Sequence, residues 1–221
     1  MKHFYIFILF ILFILYILLQ NHIVEGFSSN KTYILLGDSI LKNDAYVKNG
    51  NSIENLLIKY HSDINLYSFA EDNSKIIDIY SQISKIPIEA NNPNTYVFLS
   101  AGGNDILSHY VDRNEDITNT SILKQMFSSY KNLIKSILSR IPYAQIVLLD
   151  IYYPQDLRYK KFYSIIKEWN NMIHDFVSKP SNNIYSIIKI SNELNQVDDF
   201  SFGIEPSLNG GKKIVSLILS I

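Results

Sequence analysis

From Lys31 to the C-terminus the sequence predicts a three-layer α/β/α domain, a parallel sheet with helices on both faces. Three observations predict it. Five short apolar runs recur along the chain, stretches with helical spacing separate them, and glycine or proline stands at many of the joints. Strands that alternate with helices are joined by crossovers, which makes the sheet parallel and buries both of its faces.

The elements follow in order. Tyr33–Leu36 is the first strand, ending at Gly37. Ile53–Tyr60 has helical spacing at Ile53, Leu56, Leu57 and Tyr60. Ile64–Phe69 alternates as a strand does, and Ser74–Ile83 returns to helical spacing with Ser74 as its expected cap. Tyr96–Ser100 is the third strand and runs into Ala101-Gly102-Gly103. The acidic and polar stretch Tyr110–Asn119 reads as a loop insertion, and Ser121–Leu138 as a long amphipathic helix stopped before Pro142. Ile146–Asp150 is the fourth strand, Phe162–Val177 a helix closed by Pro180, Ile184–Ile190 the fifth strand and Gly210–Ile218 the last helix. No internal repeat is present.

Composition narrows the function classes. The chain has 221 residues, no cysteine, a net charge of −1 and 47% hydrophobic residues. That suits one ordinary domain and excludes a disordered chain. Without cysteine there is no disulfide framework, thiolate metal site or cysteine nucleophile. Near-neutral charge without a Lys/Arg block predicts no nucleic-acid partner.

The N-terminus has a separate character. Phe4–Leu19 is an unbroken run of 16 apolar residues, preceded by Met1, Lys2 and His3. As a helix it spans about 24 Å, slightly less than a hydrocarbon core of about 30 Å. A run apolar on every face is a poor core helix. The expectation is an N-terminal hydrophobic helix over residues 1–22, as an uncleaved signal anchor or a cleaved signal peptide. Residues 23–30 form a linker, and 31–221 the domain. Lys2 favours a cytoplasmic N-terminus, so the domain is expected outside the cytoplasm, membrane-anchored or secreted. Asn30-Lys31-Thr32 and Asn119-Thr120-Ser121 would then be glycosylation acceptors in a eukaryotic secretory route.

In sheets of this kind ligands bind beyond the carboxyl ends of the strands. Gly37-Asp38-Ser39 follows the first strand, where a serine hydroxyl is exposed near a helix start; the same triplet is also an ordinary turn and cap. Gly102-Gly103-Asn104-Asp105 follows the third strand, and an asparagine amide there can donate to a developing oxyanion or simply close a turn. Near the C-terminus, Ile204-Glu205-Pro206-Ser207 presents Glu205 at the same rim, and Gly210-Gly211 lets the last helix pack closely. Tyr152-Tyr153-Pro154, after the fourth strand, lines an acyl or sugar pocket or serves packing.

Taken together, these three ordered blocks and the Pro-Ser-x-x-Gly-x-x-x-Ile tail resemble the SGNH (GDSL) hydrolases over the whole of Lys31–Ile221. The resemblance implies a flavodoxin-like sheet and a serine esterase, lipase or carbohydrate acetylesterase acting on an ester-containing small molecule, lipid or acylated glycan. By position, Ser39 would be nucleophile and backbone oxyanion donor, and Asn104 the side-chain donor. Asn73 stands where the family has glycine; only its N–H is needed, and asparagine tolerates left-handed backbone. The family's Asp-x-x-His before the proline reads Phe202-Gly203-Ile204-Glu205, and Asp198 and Asp199 have the wrong spacing.

Three readings of Glu205 follow. It replaces the histidine as general base, with burial beside Phe202 raising its pKa. Alternatively another histidine serves, His109 being nearest the third block, while His3, His22, His61 and a solvated His174 are weaker. Or the domain has lost hydrolysis and binds an acylated glycan or lipid. The absence of a Gly-x-Gly-x-x-Gly or Walker-type loop argues against a nucleotide- or flavin-binding domain. No cofactor and no metal are expected.

Overall fold

A computed structural model describes residue 13 and residues 30–112, 116, 120–179 and 184–221. Phe4–Leu19, apart from Phe13, lies outside the described residues, as do 20–29 and Asn119. Among the described residues no helix is long and apolar enough to cross a membrane.

The elements in chain order are β1 (Thr32–Leu36), α1 (Ile53–Tyr60), β2 (Asn65–Ser68), α2 (Ile79–Ser84), β3 (Thr95–Leu99), α3 (Gly103–Ile106), α4 (Thr120–Arg140), β4 (Gln145–Leu149), α5 (Tyr163–Val177), β5 (Ile184–Ile188), α6 (Ile190–Glu193), β6 (Phe200–Ser201), β7 (Glu205–Pro206) and α7 (Leu208–Leu219). Five strands form one parallel sheet in the order β2-β1-β3-β4-β5, the flavodoxin-like order. β1 lies between β2 and β3, with Thr32 opposite Asn65 of β2 and Thr95 of β3.

Alternation along β1 divides the core between the two faces. Ile34 and Leu36 face α2, α4 and α5, joining Ile79, Leu133 and Trp169; Tyr33 and Leu35 face α1 and α7, joining Leu56, Leu57 and Ile214. All of these side chains are buried. A sheet covered on both faces needs such continuously apolar strands. The chain passes from β1 to β2 on one side and from β3 to β4 on the other, so a crevice opens between β1 and β3 at their carboxyl ends.

The structure alters four sequence expectations. Residues 74–78 form turns, and α2 begins only at Ile79. Ser74 does not cap it, because its hydroxyl accepts from Gln82 Nε2 (3.1 Å) instead. Helical structure continues past α3 as a wider turn over Leu107–Asp112 with Tyr110 buried, so the insertion after β3 starts later than Tyr110. α7 starts two residues early, at Leu208, because the Ser207 hydroxyl accepts from the N–H groups of Asn209 and Gly210. Finally, β5 stops at Ile188, and Ile190 opens α6.

Candidate active site

The nucleophile turn begins where β1 leaves the sheet. Gly37 has φ +133°, and a Cβ there would lie 2.0 Å from the Ser100 carbonyl oxygen. Only glycine allows that approach. Asp38 follows, nearly fully buried, and its carboxylate accepts from Ser100 Oγ (2.7 Å) and the Ile40 N–H (3.1 Å). These bonds fold the turn and carry Ser39 to the crevice. Burial raises the Asp38 carboxyl to about 6, against the opposing pull of the Ser100 and Ile40 hydrogen bonds.

Asn104 sits in the first turn after β3 and lines the same cleft as Ser39. Its Nδ2 donates to the Ser74 carbonyl (3.0 Å), which fixes the amide plane and leaves the second N–H of that group for a ligand. Asn73 adopts left-handed backbone, φ +60°, as expected for an asparagine at a glycine position. Its N–H, however, donates to Asp72 Oδ1 (2.9 Å), while Asp72 Oδ2 accepts from Tyr46 Oη (2.8 Å). Asn73 is not among the residues lining the cleft. So a carboxylate occupies the backbone donor assigned to the oxyanion.

Glu205 enters on the short hairpin β6–β7, which periodicity alone did not reveal. Asn43, fully buried, holds that hairpin to the β1–α1 loop by donating to the Pro206 carbonyl (3.3 Å) and accepting from the Ile53 N–H (2.8 Å). Ser201 Oγ donates to the Tyr46 carbonyl (2.9 Å), and Tyr152 Oη to the Ile204 carbonyl (2.5 Å). With its backbone held from three sides, Glu205 lines the same cleft as Ser39, and the Ser39 hydroxyl is near enough to act on its carboxyl. Among the described residues Glu205 Oε2 is buried without a hydrogen-bond partner. Burial raises Glu205 to about 7; the Ser39 hydroxyl pulls it down, and the charges of Asp38 and Asp72 push it up.

The source of that burial differs from the expectation. Phe202 is 78% exposed, in left-handed backbone (φ +54°), with its ring edge-on to Tyr46. It cannot desolvate Glu205. Tyr152 does, buried in the same cleft with its hydroxyl on the Ile204 carbonyl next to Glu205. Further apolar walls come from Ile106, Leu107, Ile151, Phe162 and Ile166. Pro154 joins them, but Tyr153 packs on Tyr163 instead (ring centroids 5.2 Å apart).

The alternative bases stand elsewhere. His109 lies near Asp105, whose carboxyl burial raises against a lesser opposing pull from His109, and does not line the cleft. His174 is only partly solvated: its Nε2 lies 3.3 Å from the buried Asp150 carboxylate, which also accepts from Ser191 Oγ (2.6 Å). Asp199 is committed to Lys213 Nζ (2.8 Å) and the N–H groups of Asn195 and Gln196. Among the described residues no cluster of three His, Asp or Glu side chains could hold a metal ion.

Comparison with known proteins gives fold-level kinship. No family model matches the chain, and no curated protein does. Solved structures do. A member of the lipolytic G-D-S-L family from Veillonella parvula superposes with TM-score 0.66 at 16% identity, covering 86% of this chain and 97% of its own. An acetyl xylan esterase gives 0.65 at 16%, covering 86% and 98%. A lipase/acylhydrolase from Enterococcus faecalis gives 0.61 at 17%, covering 86% and 94%. The chain therefore has the α/β fold of the GDSL (SGNH) hydrolases, with Ser39, Asn104 and Glu205 brought to one cleft.

Proposed function

We propose that this chain is a serine ester hydrolase of the GDSL type, with Ser39 as nucleophile and Glu205 as general base. The observation that carries the reading is that Ser39, Asn104 and the largely buried Glu205 line one apolar-walled cleft, where burial brings the carboxylate to about 7. A general base is most effective with a pKa near the working pH. Glu205 takes the Oγ proton as Oγ bonds to the ester carbonyl carbon. The Ser39 N–H and the free N–H of Asn104 Nδ2 hold the oxyanion, joined by the Asn73 N–H once Asp72 has swung away. Collapse expels the alkoxide, which recovers the proton from Glu205. Water then attacks the acyl-enzyme by the same route and restores Ser39. A carboxylate has no tautomer to set, so it needs no orienting acid, consistent with Phe202 at the family's aspartate position.

The cleft walls favour an ester with an apolar acyl part, as in a lipid, over a bare sugar acetate. Tyr152 Oη, in the cleft wall, is turned to the Ile204 carbonyl rather than offered to sugar hydroxyls. The apolar run Phe4–Leu19 is proposed to anchor or export the domain outside the cytoplasm.

One observation favours a second reading, a catalytically impaired domain that binds an acylated glycan or lipid. The Asp72 carboxylate holds the Asn73 N–H, so the oxyanion hole is incomplete. Turnover of p-nitrophenyl esters of increasing acyl length decides between the two. The hydrolase reading predicts turnover that rises beyond acetate and vanishes in Ser39→Ala. Absence of turnover, with retained binding of a long-chain ester, supports the binding domain.

A further inference from the structure

The least expected side chain near the cleft is an amide that touches no ligand space. Gln82, on α2, is fully buried. Its Oε1 accepts from the Gly37 N–H (2.8 Å), and its Nε2 donates to the Gly37 carbonyl (2.9 Å) and to Ser74 Oγ (3.1 Å). At Gly37, φ +133°, the chain has left the sheet; its carbonyl still accepts from the Glu71 N–H (3.0 Å), just beyond β2. The side-chain amide of Gln82 pairs with the Gly37 N–H and carbonyl as a neighbouring strand would. On its other side it grips Ser74, whose carbonyl in turn receives Asn104 Nδ2 (3.0 Å).

We infer that Gln82 is a positioning residue that sets the nucleophile turn, the Asn73–Ser74 loop and the Asn104 amide in one register. It bridges the residue two before Ser39, the residue after Asn73 and, through the same Ser74, the oxyanion amide. Three loops from three different strand ends thus share a single buried amide. Loops held only by their own turns would drift independently, and misplacement by about 1 Å lowers rates by about 10²-fold. Buried polar networks of this kind specify one arrangement only when every member is satisfied, as the two Gln82 atoms are here. The inference rests on the reading of Ser39 as nucleophile.

The test uses the full chain with Gln82→Met and Gln82→Glu, and reads two things. The first is independent of catalysis: NMR of the Gly37 amide and the Asn104 side-chain NH2. Gln82→Met is expected to lose protection of the Gly37 amide from exchange and to shift the Asn104 NH2 resonances. Unmoved Asn104 resonances in a folded Gln82→Met protein would overturn the link. The second readout is the rate of Ser39 phosphonylation per folded molecule and ester kcat and KM. A positioning role predicts a fall of about 10²-fold in the phosphonylation rate and kcat with KM little changed. A merely structural role predicts a lower Tm and unchanged rates.

Gln82→Glu supplies the second variant should Gln82→Met fail to fold. Protonated, the introduced carboxyl can accept from and donate to Gly37; ionised, it cannot donate. Activity is therefore expected only where Glu205 is ionised and the introduced carboxyl still protonated, so the variant's profile gains a descending limb, and a lowered maximum, absent from the parent. A profile identical to the parent's would overturn the inference. Absence of Ser39 reactivity in the parent itself contradicts the hydrolase reading, whereas the NMR result stands or falls separately.

Discussion

At the scale of single residues, the proposed chemistry turns on how an ordinary carboxylate would become a base. A glutamate in water ionises near 4.3, too weak to take a serine proton readily at neutral pH. Glu205 is moved to about 7 by burial against Tyr152 and by the neighbouring charges of Asp38 and Asp72. Replacing it by glutamine keeps the shape and removes the base, so kcat/KM is expected to fall by about 10²- to 10⁴-fold. Full activity in Glu205→Gln would remove it from the mechanism. Asp72 makes an opposite prediction. Asp72→Ala frees the Asn73 N–H and removes a charge that raises Glu205. Phosphonylation of Ser39 should speed up, and its pH midpoint should move down. Asp72→Asn retains an acceptor for the Asn73 N–H, so it should move the midpoint without the full acceleration. Equal acceleration in both variants would contradict the occupied-donor account.

Ser39, Asn104 and Glu205 were legible in the sequence because each follows a strand end or precedes a helix in a recognisable block. Asn73 was legible by its tolerance of positive φ. Asp72, Tyr46 and Asn43 were not, because their roles depend on partners distant in the chain. Gln82 left a faint signal: it falls on the buried stripe of Ile79, Ile83 and Ile86, where a polar residue calls for a buried partner.

At the scale of elements, the position of Glu205 depends on how α7 docks. Ser207 caps α7, Glu205 stands two residues before that cap, and Gly210 lies against the Asp199 backbone. A Cβ at Gly210 would lie 2.2 Å from the Asp199 carbonyl oxygen. Gly210→Ala must push α7 from the 197–199 turn and is expected to destabilise the fold by about 1–3 kcal/mol, measured by urea unfolding. A stability equal to the parent's would show that α7 does not need this contact. Close packing at Gly210-Gly211 was legible in the sequence. The hairpin β6–β7 was not, because strands of two residues are too short to carry a period. The start of α2 was also misplaced, because Ser74 looks like a cap and instead takes its hydrogen bonds from across the loop.

At the scale of the whole molecule, the fold gathers buried carboxyls near one end of the sheet. Asp38 is raised from 3.8 to about 6 and Glu205 from 4.5 to about 7, and burial raises Asp105 and Asp150 as well. A group whose folded pKa lies above its unfolded value binds more protons in the folded state between the two. Stability then falls as pH rises through that window. From these groups the protein is expected to lose stability between about pH 4 and pH 7. The urea midpoint should be higher at pH 5 than at pH 8, and the difference should shrink in Glu205→Gln. A higher midpoint at pH 8 would contradict these directions. The parallel sheet and its layers were legible from alternation and the flavodoxin-like arrangement only through the resemblance, whereas the clustering of charge was not legible, since it arises only when strand ends converge.

The central claim is that Ser39 is an activated nucleophile with Glu205 as its base. The most direct measurement is the rate at which an alkyl fluorophosphonate modifies the full chain from acidic to mildly basic pH, with peptide mapping of the adduct. The account predicts modification at Ser39, with a rate that rises through a single midpoint near 7, because ionised Glu205 is the competent form, and levels off above it. No modification of Ser39 at any pH in the folded protein would contradict it.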